Sequence, residues 1–257
     1  MPFTLSHAVL APPIARLSGH MLPVAALVIG CMVPDLYRLF VSNGNSDPYL
    51  AHYWRSLLYP DLALGLGFSF FWYLLYRPVI YRFCGIQHAL NIHSFGSALK
   101  FLTGIVFAVL IGVCTHILWD GLTHADFRTF AFKDVLEQNI SLFGEVYPLH
   151  RTLQITTSIF TLPLLGWMLY RYYRCYKHPL TLSRKVLMTG WGLTLFSFLA
   201  GMASVADYLR YIPKDVIASN LYNFIGISFN EFSQTALITF TLGCILFLFF
   251  DRDHRLG

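Results

Sequence analysis

The segment Thr115-His116-Ile117-Leu118-Trp119-Asp120-Gly121-Leu122-Thr123-His124 is where residue types and spacing most plainly point to chemistry. His116 and Asp120 are four residues apart, so on a helix they offer an imidazole and a carboxylate from one face. This bite is comparable to the i, i+4 histidines of helical zinc motifs. Gly121 reads as the helix stop, after which His124 can fold back over the same point. The plainer alternative is that His116 and Asp120 pair with each other or cap the helix end. Ser6-His7 and Val33-Pro34-Asp35 place another imidazole and carboxylate at the two ends of an apolar N-terminal stretch. Ala51-His52-Tyr53-Trp54 adds a further histidine. Three or four histidines with two aspartates suit Zn2+ or another divalent metal, as one ion or as two bridged by a carboxylate.

The elements that must position these residues belong to a membrane protein. The chain has 257 residues, 56% hydrophobic and 12% charged, where a soluble domain carries about 25% charged residues. Five apolar segments are long enough to span a bilayer: 60–76, 101–120, 152–170, 186–206 and 232–250. Tyr73, Tyr76, Trp119, Trp167, Tyr170, Tyr172 and Tyr173 gather near their ends, as an interfacial belt requires. No basic n-region opens the chain, and Pro12 and Pro13 interrupt its first apolar stretch, so it does not read as a secretory signal. Residues 5–17 and 23–34 are each too short to span. The turn signals Gly19 and Pro23 between them predict a helical hairpin over 5–34. A single tilted span over 21–40 is the rival, opposed by Pro34 in its middle. The expectation is an all-α integral membrane bundle, a single transmembrane domain of five spanning helices plus this hairpin.

Lys and Arg set the orientation. Residues 77–100 and 171–185 carry basic residues without acids, and Arg252 and Arg255 follow the last span. With alternating spans these fall on one side, cytoplasmic by the positive-inside rule. Segments 36–59, 121–151 and 207–231 then face outward, and His7, Asp35, His52, His116, Asp120 and His124 share the outer face. His150 is a possible late ligand there. Gln154 either hydrogen-bonds into the site or caps its helix. His88, His93 and His178 read as interfacial on the basic side, His20 as a turn residue and His254 as part of a polar tail. Asp207, Glu145 and Glu231 read as solvated loop acids. Cys31, Cys84, Cys114, Cys175 and Cys244 have no metal-like spacing and no disulfide pattern. The net charge of +5 is a topology signal, with no nucleic-acid partner expected.

The opening Met1-Pro2-Phe3-Thr4-Leu5-Ser6-His7, then Pro34-Asp35, His52 and the THxxWDxxTH run, closely resembles a family of bacterial multi-pass membrane proteins known as domain of unknown function 4184. It is more distantly similar to membrane-bound metal-dependent hydrolases and the zinc-dependent phospholipase C and P1 nuclease superfamily. That resemblance implies that His7, Asp35, His52, His116, Asp120 and His124 are metal ligands, matched in order. The superfamily's closing HxxxE is absent, and His150 and Gln154 keep its spacing with an amide in place of the carboxylate. The expected function is metal-dependent hydrolysis of a phosphoester in a lipid or lipid-linked substrate, at the outer face of a bacterial inner membrane. Asp35 and Asp120 would be the catalytic carboxylates, with one or two ions bound and membrane lipids as partners. A divalent-metal or proton transporter and a non-catalytic protein with a structural metal are the alternatives.

Overall fold

A computed structural model describes residues 4–41, 47–142, 144–178, 182–213, 217 and 221–252. Met1, Pro2 and Phe3 of the opening heptapeptide, and Asp253, His254 and Arg255 of the tail, lie outside the described residues. The chain is all-α, with an N-terminal hairpin and five helices long and apolar enough to cross a membrane. It divides into two compact units.

The first unit holds the hairpin and the helices around it. A 3-10 turn, Thr4–Leu10, runs into α1 (Ala11–Leu17), whose first turn accommodates Pro12 and Pro13 because no helix N–H is needed there. Ala8, Ala11 and Ala15 form its buried face. The chain reverses between Ser18 and Pro23, with Gly19 and His20 both at positive φ, so His20 is the turn residue expected.

The second arm differs from expectation. α2 (Val24–Phe40) continues through Pro34 rather than ending there. A proline removes one backbone hydrogen bond, and in a helix packed on both sides its neighbours hold the geometry. The hairpin therefore extends past residue 34, and Asp35 projects from inside a helix rather than from its end.

α4 (Phe95–Thr123) is the unit's central helix, following α3 (Trp54–Cys84) in the chain. Its start is a capping box in which Ser94 Oγ accepts from the Ser97 N–H at 3.2 Å. Gly104, Ala108, Gly112, His116, Asp120 and His124 recur every four residues, one ridge of a helix surface. The lower half of that ridge is small, and the hairpin backbone lies directly on it. A Cβ on Gly112 would meet Leu27 O at 2.6 Å and Cys31 N at 2.7 Å, and one on Gly104 would meet Met21 O at 2.7 Å. This close approach is the small-residue packing of membrane helices, and it sets the distance between α2 and the histidines one turn further along.

α3 begins irregularly, with Tyr59 in an extended conformation before Pro60. α5 (Leu149–Tyr176) follows a short antiparallel hairpin of β1 (Asn139–Leu142) and β2 (Glu145–Pro148). The second unit contains α3 from Phe70 onward, with α6 (Arg184–Tyr211) and α7 (Leu221–Phe250). Its core is Leu75, Tyr76, Val79, Cys244 and Phe247. Gly190 and Gly201 receive the rings of Phe83 and Phe232.

All five long helices run beyond the apolar segments that announced them. The segments read as loops are correspondingly shorter. Asp207 lies in the last turn of α6, paired with Arg210 at 3.6 Å. Glu231 lies inside α7, with Ser204 Oγ donating to it at 3.3 Å. Neither is a loop acid. Polar residues at the ends of a span continue the helix, because in lipid every backbone group must be satisfied internally.

Candidate metal centre

His116 is fully buried, and one contact fixes its chemistry. Its Nδ1 lies 2.7 Å from the backbone oxygen of Cys31 on α2. A carbonyl only accepts, so Nδ1 carries a proton and Nε2 points the other way. That contact follows from the tight seating of α2 over Gly112. A backbone carbonyl behind an imidazole is also the usual support for a metal-ligating histidine.

Asp120, one turn later, is the hub. Its Oδ2 stands 3.6 Å from His116 Nε2 and 3.7 Å from His52 Nε2. Its Oδ1 stands 3.8 Å from His7 Nε2 and 3.6 Å from His124 Nδ1. Asp35 Oδ1 is 3.4 Å from His52 Nε2. The rings of His7 and His116 stack at 3.9 Å. His7, Asp120 and His116 thus make one triad of potential ligand atoms, and Asp35, His52 and His116 another.

These separations discriminate between readings. Hydrogen bonds to carboxylates fall at about 2.7–3.2 Å, and none of these pairs is that short. Tetrahedral ligands about 2.1 Å from an ion stand roughly 3.4 Å from one another. Asp35 Oδ2, His52 Nε2, His116 Nε2 and Asp120 Oδ1 are buried with no hydrogen-bond partner among the described residues, although buried polar groups are nearly always satisfied.

The loop after α4 completes the site. The helix continues through Gly121 to Thr123, so Gly121 is not the stop; its bare Cα instead accommodates the ring of Phe130. His124 is the cap residue, its N–H donating to Asp120 O at 2.9 Å. Its Nδ1 lies 3.1 Å from that same oxygen, so it reaches the cluster through Asp120 rather than as a member of either triad. Arg128 Nη1 donates to Asp120 Oδ2 at 3.2 Å, while its Nε donates to Asp126 Oδ1 at 3.0 Å. Phe127 packs against Tyr49 and Tyr53, covering the His52 side.

Charge points the same way as distance. With neutral imidazoles, the carboxylates of Asp35 and Asp120 are buried against the guanidinium of Arg128, which is shared with the exposed Asp126, so the buried cluster is left net negative. Burial of unbalanced charge is strongly unfavourable, and a divalent cation would balance it. His52 and His124, which lie outside the spans, are held neutral. Burial lowers the pKa of His52, and burial with the nearby Arg128 lowers that of His124 to about 4, against the pull of Asp120.

Two further candidates sit apart. His150 is half-buried, its Nδ1 3.1 Å from Leu136 O, and belongs to neither triad. Gln154 is buried and donates to Thr123 O at 2.8 Å, so it caps the C-terminal end of α4 from α5. Sequence reasoning missed Arg128, whose signal was an acid and a base two apart in the turn after His124. It also missed Asp61, fully buried within α3 and accepting from Ser56 Oγ at 2.8 Å.

A comparison with curated proteins finds no match, and neither does one with solved structures. The model of the family described as Domain of unknown function (DUF4184) matches residues 1–249, and the chain belongs to that family.

Proposed function

We propose that this protein is a metal-dependent membrane hydrolase that cleaves a phosphoester. The observation that carries the reading is a buried cluster of imidazoles and carboxylates whose facing atoms stand 3.4–3.8 Å apart, four of its polar atoms (Asp35 Oδ2, His52 Nε2, His116 Nε2 and Asp120 Oδ1) having no hydrogen-bond partner among the described residues. His7, His116 and Asp120 would hold one divalent ion, and Asp35 and His52 with His116 an alternative position, since His116 Nε2 serves one ion at a time. Zn2+ suits the imidazole-rich set. A bound divalent ion supplies a water with its pKa lowered toward about 7 and polarises the phosphoryl oxygen.

The chain's own residues do the rest. Asp35 Oδ2, which has no hydrogen bond among the described residues, would accept a proton from that water. His116 is common to the two triads, and Asp120 of the first reaches to 3.7 Å from His52 of the second. Arg128 holds Asp120 and opposes negative charge that develops on a phosphoryl group. By the positive-inside rule the site faces outward from a bacterial inner membrane, with the C-terminus cytoplasmic.

Hydrolysis of bis(p-nitrophenyl) phosphate by purified protein in detergent tests this. Turnover that needs Zn2+ or Mn2+, stops with a chelator and is lost in Asp35→Asn is the expected result. Metal-loaded protein inert on phosphomonoesters and phosphodiesters alike would refute it. A transport reading draws on Asp61, a buried carboxylate in a span. It predicts metal or proton uptake by proteoliposomes that Asp61→Asn abolishes. A purely structural metal predicts metal-dependent thermal stability with neither turnover nor uptake.

A further inference from the structure

Beside the histidines lies a cavity of about 160 Å3, wholly within the first unit. Ser6, His7 and Leu10 of the hairpin, Trp119 of α4, and Thr157 and Thr161 of α5 form its wall. His7 belongs both to this wall and to the first triad, so the cavity abuts the proposed ion site. At that end Ser6 Oγ is buried with no hydrogen bond.

Away from His7 the wall is apolar in effect, although its sequence is rich in hydroxyls. Thr157 Oγ1 donates to Leu153 O at 2.6 Å, Thr161 Oγ1 to Thr157 O at 2.8 Å and Thr123 Oγ1 to Trp119 O at 2.9 Å. Each of these three hydroxyls is satisfied by its own helix, leaving the methyl for the cavity, and Ser158 adds one further hydroxyl to the wall. Gln154 is likewise committed to Thr123. A sugar or nucleotide would find few free partners here and would leave its own hydroxyls unpaired. From Gln154 to Thr161 the wall follows α5 for about 10 Å of helix, down a span whose Ile155, Ile159 and Phe160 are exposed on the outside.

We propose that this cavity seats the first carbons of the hydrocarbon chain of a lipid phosphoester whose phosphate meets the His–Asp cluster. The proposal rests on the hydrolase reading and narrows its substrate to an amphiphile drawn from the bilayer. At about 30 Å3 per group, a volume of about 160 Å3 accepts a chain of about five carbons before the remainder must leave the protein.

Two measurements test it. The first is kcat/KM for p-nitrophenyl alkyl phosphodiesters of methyl, butyl and octyl chain, using full-length protein with Zn2+. The expected rise is up to about fourfold per methylene, the factor its burial is worth, levelling beyond about five carbons. Thr157→Phe fills the cavity and lowers the octyl-to-methyl ratio, whereas Thr157→Val keeps volume and ratio. Thr161→Leu serves if the Phe variant does not fold. A ratio unchanged by filling, or a wild type indifferent to chain length, overturns the seat.

The second readout needs no turnover. Bromohexyl phosphate should quench the fluorescence lost in Trp119→Phe, and methyl phosphate should not. Quenching without turnover on any diester would refute the hydrolase while keeping the seat. Turnover without quenching would refute the seat alone.

Discussion

The two units handle their polar side chains in opposite ways. In the second unit, charged groups near the ends of the spans find protein partners. Arg82 donates to Asp251 at 3.1 Å, and Tyr76 shares a hydrogen bond with Thr241 at 2.7 Å. In the first unit, imidazoles and carboxylates are buried more deeply, yet they stand just beyond hydrogen-bonding distance of one another. Both units contain helices long and apolar enough to cross a membrane, so that setting does not explain the difference. Polar residues that serve the fold close on each other, and polar residues spaced for an ion leave room for it.

Substitutions can break this contrast. The largest effect belongs to Asp120→Asn. Supporting residues behind a metal ligand are worth about 10- to 100-fold in affinity, so the hub should cost at least about 100-fold in Zn2+ affinity. Equilibrium dialysis reads this directly, and affinity within a few-fold of wild type would place the ion elsewhere.

Arg128→Gln should cost about 10- to 100-fold in turnover with ion content retained, and Arg128→Lys less. Loss of the ion in both would recast Arg128 as a purely structural counter-charge.

Packing gives an intermediate effect. Gly112→Ala forces a Cβ against the backbone of Leu27 and Cys31 and should destabilise by about 1–3 kcal/mol. It should weaken ion binding too, because Cys31 O orients His116. Gly192→Ala has open space around it and should be neutral or stabilising, by up to about 1 kcal/mol. Thermal unfolding in detergent compares the two, and equal effects would deny the ridge its role.

Acidification distinguishes the units more gently. His124 is held to about 4, below its ordinary value of 6.5, and His52 is lowered as well. A group whose pKa is depressed by folding contributes stability above its unfolded pKa and loses it as pH falls toward the folded value. The first unit should therefore lose stability and ion affinity between pH 6.5 and about 4. Ion affinity that is flat across that interval would contradict neutral imidazoles. Smallest of all, Arg82→Gln should cost roughly 0–1 kcal/mol, as a partly exposed pair does, without changing ion content.

Much of this site is legible in the sequence because helical spacing and membrane topology are strong constraints. An i, i+4 pair fixes a shared face, and two short apolar arms around Gly19 and Pro23 bring His7 and Asp35 back to one end. The hairpin expected over 5–34 puts Asp35 at its end, whereas α2 passes through Pro34 instead of stopping there. Arg128 was hidden because a loop's path over a helix end has no period. Asp61 was masked by the apolar run around it. The small ridge of Gly104, Ala108 and Gly112 was readable at the same four-residue spacing as His116 and Asp120. Its meaning needed the hairpin backbone beside it.

The central claim is that the paired triads are ion ligands. Metal analysis of the purified full chain, wild type beside Asp120→Asn, tests it most directly. One or two divalent ions per wild-type chain, lost in the variant and restored by added Zn2+ to the wild type alone, is the predicted result. Wild-type protein that is free of metal, takes up none and retains full stability would contradict it.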